Sequence, residues 1–185
     1  MSLRTSLLAA AVAALVPAAA HAQRLTLTSP DLSRDAKIGN KFVFNGFGCS
    51  GQNVSPALAW RNAPAGTKSF AVTVYDPDAP TGSGWWHWLV YNIPASVTSL
   101  AQGAGSTNAA ALPAGAAQGN TDFGAKGYGG PCPPQGDKPH RYVFTVHALK
   151  VDKIDVPANA TAAMVGFTLN ANRLATATFT ARYNR

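Results

Sequence analysis

Four side chains of this sequence have the chemistry to receive an anion together: Asp76, His87, His140 and Tyr142. Two imidazoles and a phenol supply donors for oxyanion oxygens, and a carboxylate accepts from an imidazole, orients it and raises its pKa. Strand alternation groups them. His140 and Tyr142 share a side of one apolar run with Phe144 and Val146. His87 alternates with Trp85, Leu89 and Tyr91, and Asp76 ends a run on the side of Phe70, Val72 and Val74. An ionisable group emerging from an apolar face requires a partner or a ligand. His147 falls on the opposite side of its run and reads as a satisfied core residue. Asp78, in Asp76-Pro77-Asp78-Ala79-Pro80, reads as a turn cap. Arg141 points away from His140 and reads as one half of a buried ion pair with an aspartate.

Two histidines and an aspartate also have the composition of a metal triad. The chain has no His-x-His or His-Glu-x-x-His spacing, and no glutamate at all to act as a general base. Gly48-Cys49-Ser50-Gly51 is not a nucleophile elbow. The expectation is a binding module with no metal and no cofactor, rather than an enzyme.

The elements that must position these groups are mostly strands. Ser69–Asp76, Trp85–Ile93 and His140–Leu149 are β-branched and aromatic runs bounded by turn residues. All three are apolar on both faces, as central strands of a β-sandwich are. Lys41–Phe44 reads as a short strand, Ala160–Ala177 as a helix broken at Gly166, and Thr178–Tyr183 as a last strand. Residues 100–139 are rich in Gly, Ala and Pro and form the kind of long loop that usually carries function. The fold class expected is mainly β, an antiparallel sandwich with a few peripheral helices. Trp85, Trp86 and Trp88 read as core and rim packing.

The N-terminus carries Arg4, then the apolar run Leu7–Val16, then Ala20-His21-Ala22. These are the three parts of a secretory signal peptide over residues 1–22. A run that short is half of what a membrane span needs, so residues 23–185 are expected as one soluble domain, periplasmic or secreted, without a transmembrane segment. That portion holds 14 Lys and Arg against 8 Asp, a net charge of +6 once Arg4 is removed. The balance favours anions in general. The positives are scattered, with neither a basic stripe nor a recognition motif, so nucleic acid is not an expected partner. Cys49 and Cys132 lie in glycine-rich loops of a chain expected in an oxidising compartment, where pairing is the default.

Four segments, in order and spacing, resemble the signature runs of the phosphatidylethanolamine-binding proteins, especially their bacterial Raf-kinase-inhibitor-like branch. They are Tyr75-Asp76-Pro77-Asp78-Ala79-Pro80, Trp85-Trp86-His87-Trp88, Gly129-Gly130-Pro131-Cys132-Pro133-Pro134 and His140-Arg141-Tyr142. Ser55-Pro56-Ala57-Leu58 and the run 64–70 agree as well. The resemblance implies a sandwich with a small pocket at one end for phosphate, phosphorylated head groups or similar anions, walled by Asp76, His87, Pro134, His140 and Tyr142. Gly129 and Gly130 would let backbone N–H groups approach the anion. It also implies a homodimer, to which an aromatic rim at Trp86 and Trp88 would contribute. Trp86 stands where animal members carry a second histidine, which turns the reading away from their kinase-inhibiting role. The competing reading is a protein-interaction module, such as a protease inhibitor or a modulator of a host or envelope partner.

Overall fold

The computed structural model describes residues 24–185; the expected signal segment, residues 1–22, lies outside the described residues. The first half of the chain forms β1 (Thr26–Thr28), β2 (Asn45–Gly46), β3 (Cys49–Ser50), β4 (Leu58–Arg61) and β5 (Ser69–Asp76). The second half forms β6 (Trp85–Pro94), β7 (Ser99–Leu100), β8 (Ala117–Gln118), β9 (His140–Leu149), α1 (Ala162–Asn172) and β10 (Arg173–Tyr183). Five strands make the main sheet in the order β10-β9-β5-β6-β8, and β1-β4-β7 make a smaller sheet; every strand pair is antiparallel.

The apolar alternation explains the layering. Phe70, Val72, Val74, Trp88, Val90, Phe144, Val146 and Phe179 of the main sheet pack with Leu27, Leu58, Trp60 and Leu100 of the smaller one as the principal core. The opposite residues, Ala71, Leu89 and Leu149, meet Val165 and Leu169 of α1 in a second core. β5, β6 and β9 are therefore apolar on both faces because both faces are covered. Among the described residues no helix is long and apolar enough to cross a membrane.

Three local readings are corrected. Residues 40–42 form a 3-10 turn instead of a strand. Burial of Phe42 and Val43 holds the segment, and the Phe44 N–H donates to the Pro131 carbonyl of a distant loop. The helix runs unbroken through Gly166, capped by the Thr161 hydroxyl, which accepts from the Met164 N–H. A mid-helix glycine costs about 1 kcal/mol, less than burial of Val165 and Leu169 returns. β10 starts at Arg173 because it pairs with β9 along the whole of that strand, from Leu149 back to His140. Pairing outweighs the helical propensity of its first residues.

Residues 100–139 are ordered by specific bonds. The Trp88 indole donates to Gln118 Oε1 (2.7 Å), the Asp122 carboxylate accepts from the Trp86 N–H (2.7 Å), and Asn53 bonds both the Gly130 N–H and the Tyr128 carbonyl. The Cys49–Cys132 disulfide joins this loop to the β3 hairpin across 83 positions of sequence. On the chain-entropy account such a crosslink stabilises by roughly 4–5 kcal/mol.

Candidate functional site

The expected wall residues converge at one end of the main sheet. Asp76 is the last residue of β5 and His140 the first of β9, so antiparallel pairing brings them to the same end of the sheet; the register, with Tyr75 facing Val143, sets Asp76 beside Tyr142, and His140, two residues earlier on the same face, reaches Asp76 through its ring. Together with His87 and Pro134 they line one cavity of about 160 Å3, below the roughly 300 Å3 at which drug-sized pockets begin.

His87 arrives there by a route alternation does not show. In the β5–β6 ladder Val74 faces Trp88 and Tyr75 faces Trp86, which leaves His87 as the extra residue of a bulge. The bulge lets His87 and Trp88 share the inner face, while Trp86 and Leu89 pack on the helix side. The grouping of His87 with Trp85 holds; the grouping with Leu89 and Tyr91 is corrected. His87 meets the Tyr142 ring edge-on at 5.1 Å.

The surroundings of the two pocket histidines shift their pKa values in opposite directions. His140 Nδ1 lies 2.8 Å from Asp76 Oδ2, and its Nε2 lies 3.2 Å from Asp137 Oδ2. Burial works against charge on this ring, but the two carboxylates outweigh it and hold its pKa above the ordinary value. His87 is deeply buried, and desolvation pushes its pKa below the ordinary value, against the pull of the Gly129 carbonyl and Asp76. Because a carbonyl only accepts, the 2.7 Å contact to Gly129 O places the His87 proton on Nδ1. The unbonded Nε2 is then an acceptor. The expectation that both imidazoles act as donors is corrected for His87. The Tyr142 hydroxyl is buried near Asp76 with no hydrogen bond of good geometry, and burial, with Asp76 adding to it, raises its pKa and keeps it protonated.

The glycines act differently from the expectation. The Gly129 N–H donates to the His87 carbonyl and the Gly130 N–H to Asn53 Oδ1, so neither faces an anion. Their role is close packing: a Cβ at Gly130 would fall 2.2 Å from the Phe42 carbonyl oxygen, and one at Gly129 would strike the Phe123 ring. Arg141 does pair with an aspartate, Asp78, at 2.6 Å and 2.9 Å, but the pair is half-exposed instead of buried. It ties the Asp-Pro-Asp turn to β9, and it holds the Asp78 carboxyl below the usual carboxylate range.

Asp137, Phe47 and Phe123 were not legible as site residues. Asp137 lies three residues before His140 in a Gly-Asp turn, a spacing that hinted at contact. Phe123 is an isolated aromatic in the glycine-rich segment; it stacks on Phe44 at 4.4 Å and meets His87 edge-on at 5.3 Å. Phe47 lies at the rim and is 67% exposed. Trp88, by contrast, is fully buried and contributes to no rim, which removes one support for the expected dimer contact.

Residues 29–184 match the family model described as phosphatidylethanolamine-binding protein. The chain belongs to the phosphatidylethanolamine-binding protein family. Among its relatives is the UPF0098 protein YbcL of Escherichia coli, 53% identical over 178 residues that cover 96% of this chain and 97% of that protein. The UPF0098 protein YbhB of the same organism is 54% identical over 160 residues, 86% of this chain and all of that protein. The crystal structure of YbcL superposes with a TM-score of 0.86 at 55% identity, covering 88% of this chain and 99% of that one. A homolog of the family from Chlamydia trachomatis superposes with a TM-score of 0.72 at 31% identity, covering 88% and 98%. The family fold is therefore the fold of this chain, and the cavity at the sheet end lies in its four signature segments.

Proposed function

We propose that this chain is an exported, non-enzymatic receptor for small oxyanions or phosphorylated head groups, held at the sheet-end cavity. One observation carries the reading. The Tyr142 ring lines the cavity, and its hydroxyl, beside Asp76, is buried with no hydrogen bond of good geometry among the described residues. A buried donor left unpaired costs about 1–3 kcal/mol, a cost that a ligand oxygen removes. The membership of a family named for phosphatidylethanolamine binding supports the same class of ligand. The non-enzymatic part is supported by His140, whose two nitrogens are both engaged by carboxylates, and by His87, whose burial lowers its pKa and makes it a weak base. Export is supported by the Cys49–Cys132 disulfide and by relatives called putative lipoproteins in Mycobacterium tuberculosis, 40% identical over 153 residues.

Calorimetric titration of the purified protein with inorganic phosphate tests the receptor reading. Binding is expected, weakened about ten-fold in Tyr142→Phe, the worth of one charge-assisted hydrogen bond. Equal binding by the variant would detach Tyr142 from the site. The second reading, a protein-interaction module, is favoured by the exposed Phe47, stacked on Phe123 beside the cavity mouth. Exposed aromatics at a pocket rim are typical anchors for a partner. Homodimerisation belongs to this reading too, and light scattering at tens of micromolar decides it.

A further inference from the structure

A second cavity, of about 270 Å3, opens on the other face of the main sheet along the flank of α1, and it shares no lining residue with the first. The strand register grades it from end to end. At one end Tyr75 pairs with Trp86 and with Val143; in the middle Thr145 faces Thr73 and Thr178. At the other end His147 faces Thr176, beside Asn170 and Arg173 where α1 stops. From Val143 to His147 the strand rises roughly 13 Å. Three groups of this wall are unused by the fold. Gly166 lies mid-helix, where alanine is the more stable residue. A Cβ there would meet the Trp86 ring at 3.5 Å, an ordinary contact, so packing does not require the glycine, and the space it leaves is cavity. Arg173 donates to Asn170 Oδ1 at 3.1 Å, but among the described residues no carboxylate lies within ion-pair distance of it. His147 Nδ1 is buried without a partner. The charge balance is simple. No aspartate lines this cavity, and His147, its pKa pushed down to about 4, is neutral at pH 7, which leaves Arg173 as the charged group of the wall. On the same side of the sheet Arg141 and Arg182 are neutralised by Asp78 and Asp35. The Asn172 carbonyl, at the negative end of the α1 dipole, is bonded by the Lys150 N–H.

We propose that this cavity is a second binding site, for an organic monocarboxylate with an apolar tail: the Arg173 guanidinium takes the carboxylate at the polar end, and the tail lies between α1 and the sheet, against Trp86 and in the space left at Gly166. A planar guanidinium with free N–H groups matches a carboxylate in geometry. One cation balances one negative charge, and a second charge on the ligand would enter the cavity unpaired. At the opposite end Trp86, Tyr75, Val143 and Leu169 offer apolar surface and no charge, so a tail is favoured there over a polar group. His147 lies beneath the polar end, close enough to Arg173 for the guanidinium to act on its pKa. A carboxylate bound there favours the tautomer with the proton on Nδ1, in which the Thr73 hydroxyl donates to Nε2. The site is independent of the anion receptor at the sheet end.

The test follows the imidazole C–H signals of the purified protein by NMR at pH 7 while 4-phenylbutyrate is added. A saturable shift of the His147 signals is expected, with those of His87 and His140 in place. Phenylbutanol, which lacks the charge, and butyrate, which lacks the ring, are each expected to bind at least about ten-fold more weakly. Arg173→Gln, a change at an exposed side chain, is expected to weaken phenylbutyrate about ten-fold. Gly166→Leu, a better helix former whose side chain enters the cavity, is expected to abolish the shift without lowering the melting temperature. The second site is overturned if His147 shows no saturable shift, or if His87 and His140 move in its place. Arg173→Gln binding as tightly as wild type, or the alcohol or butyrate binding within about three-fold of phenylbutyrate, overturns it as well. None of these outcomes touches the receptor reading, which phosphate titration tests by itself.

Discussion

His140 and His147 lie on one strand, seven residues apart, and the two faces of that strand turn the same side chain to opposite uses. His140 opens the strand on the cavity face, where Asp76 and Asp137 supply carboxylates and its pKa is raised despite burial. His147 lies on the helix-side face, bonded through Nε2 to the Thr73 hydroxyl at 3.1 Å, with Nδ1 unpartnered. No carboxylate meets it there. Burial, with Arg173 adding to it, pushes its pKa down to about 4. Burial is common to both rings and lowers both. The carboxylates make the difference.

The largest break in this contrast is removal of Asp76. Asp76→Ala leaves His140 deep in the protein with only the half-exposed Asp137 for a partner, and about 3 kcal/mol of stability is expected to be lost in urea unfolding near neutral pH. The His140 ring should also titrate at lower pH by NMR. A loss below about 1 kcal/mol would show that Asp76 does not hold the charge.

The next effect is the pH dependence of each face. For His147 the folded pKa lies below the unfolded one, so the unfolded chain takes up the proton first and stability falls as pH drops from about 6.5 to about 4. The loss should approach about 3 kcal/mol at the acid end. For His140 the folded pKa is raised, so its contribution is complete below about 6.5 and is lost as pH climbs through the raised value. Urea unfolding across this range should show His147→Gln flattening the acid limb and His140→Gln flattening the basic one. An acid limb identical in wild type and His147→Gln would break the comparison.

The smallest effect sharpens it from outside. Arg141 shares β9 with both histidines but reaches solvent, where its bidentate bond to Asp78 is screened. Arg141→Ala is expected to cost less than about 1 kcal/mol. Chemical denaturation resolves a larger loss, and that outcome would mean the pair anchors the Asp-Pro-Asp turn more firmly than its exposure suggests.

The sequence by itself determined the three central strands, because runs apolar on both sides have no place except between two covered faces. It also determined that His140 and Tyr142 share a side of their strand, because alternation survives wherever the ladder is regular; that Asp76 shares it was decided by the pairing of β5 with β9. The four signature runs carried the family and the sandwich fold with them. Only the tertiary structure decided the rest, and in each case the cause is a contact between distant segments. The bulge that turns His87 inward exists only in the pairing of β6 with β5. The use of the Gly129 and Gly130 N–H groups depends on the His87 carbonyl and on Asn53, far from them in the chain. Asp137 reaches His140 because the turn before β9 folds back onto that ring. Alternation is a property of one strand. Which nitrogen of a histidine carries its proton, and which carboxylate sits beside it, is set by neighbours that the strand meets only after folding.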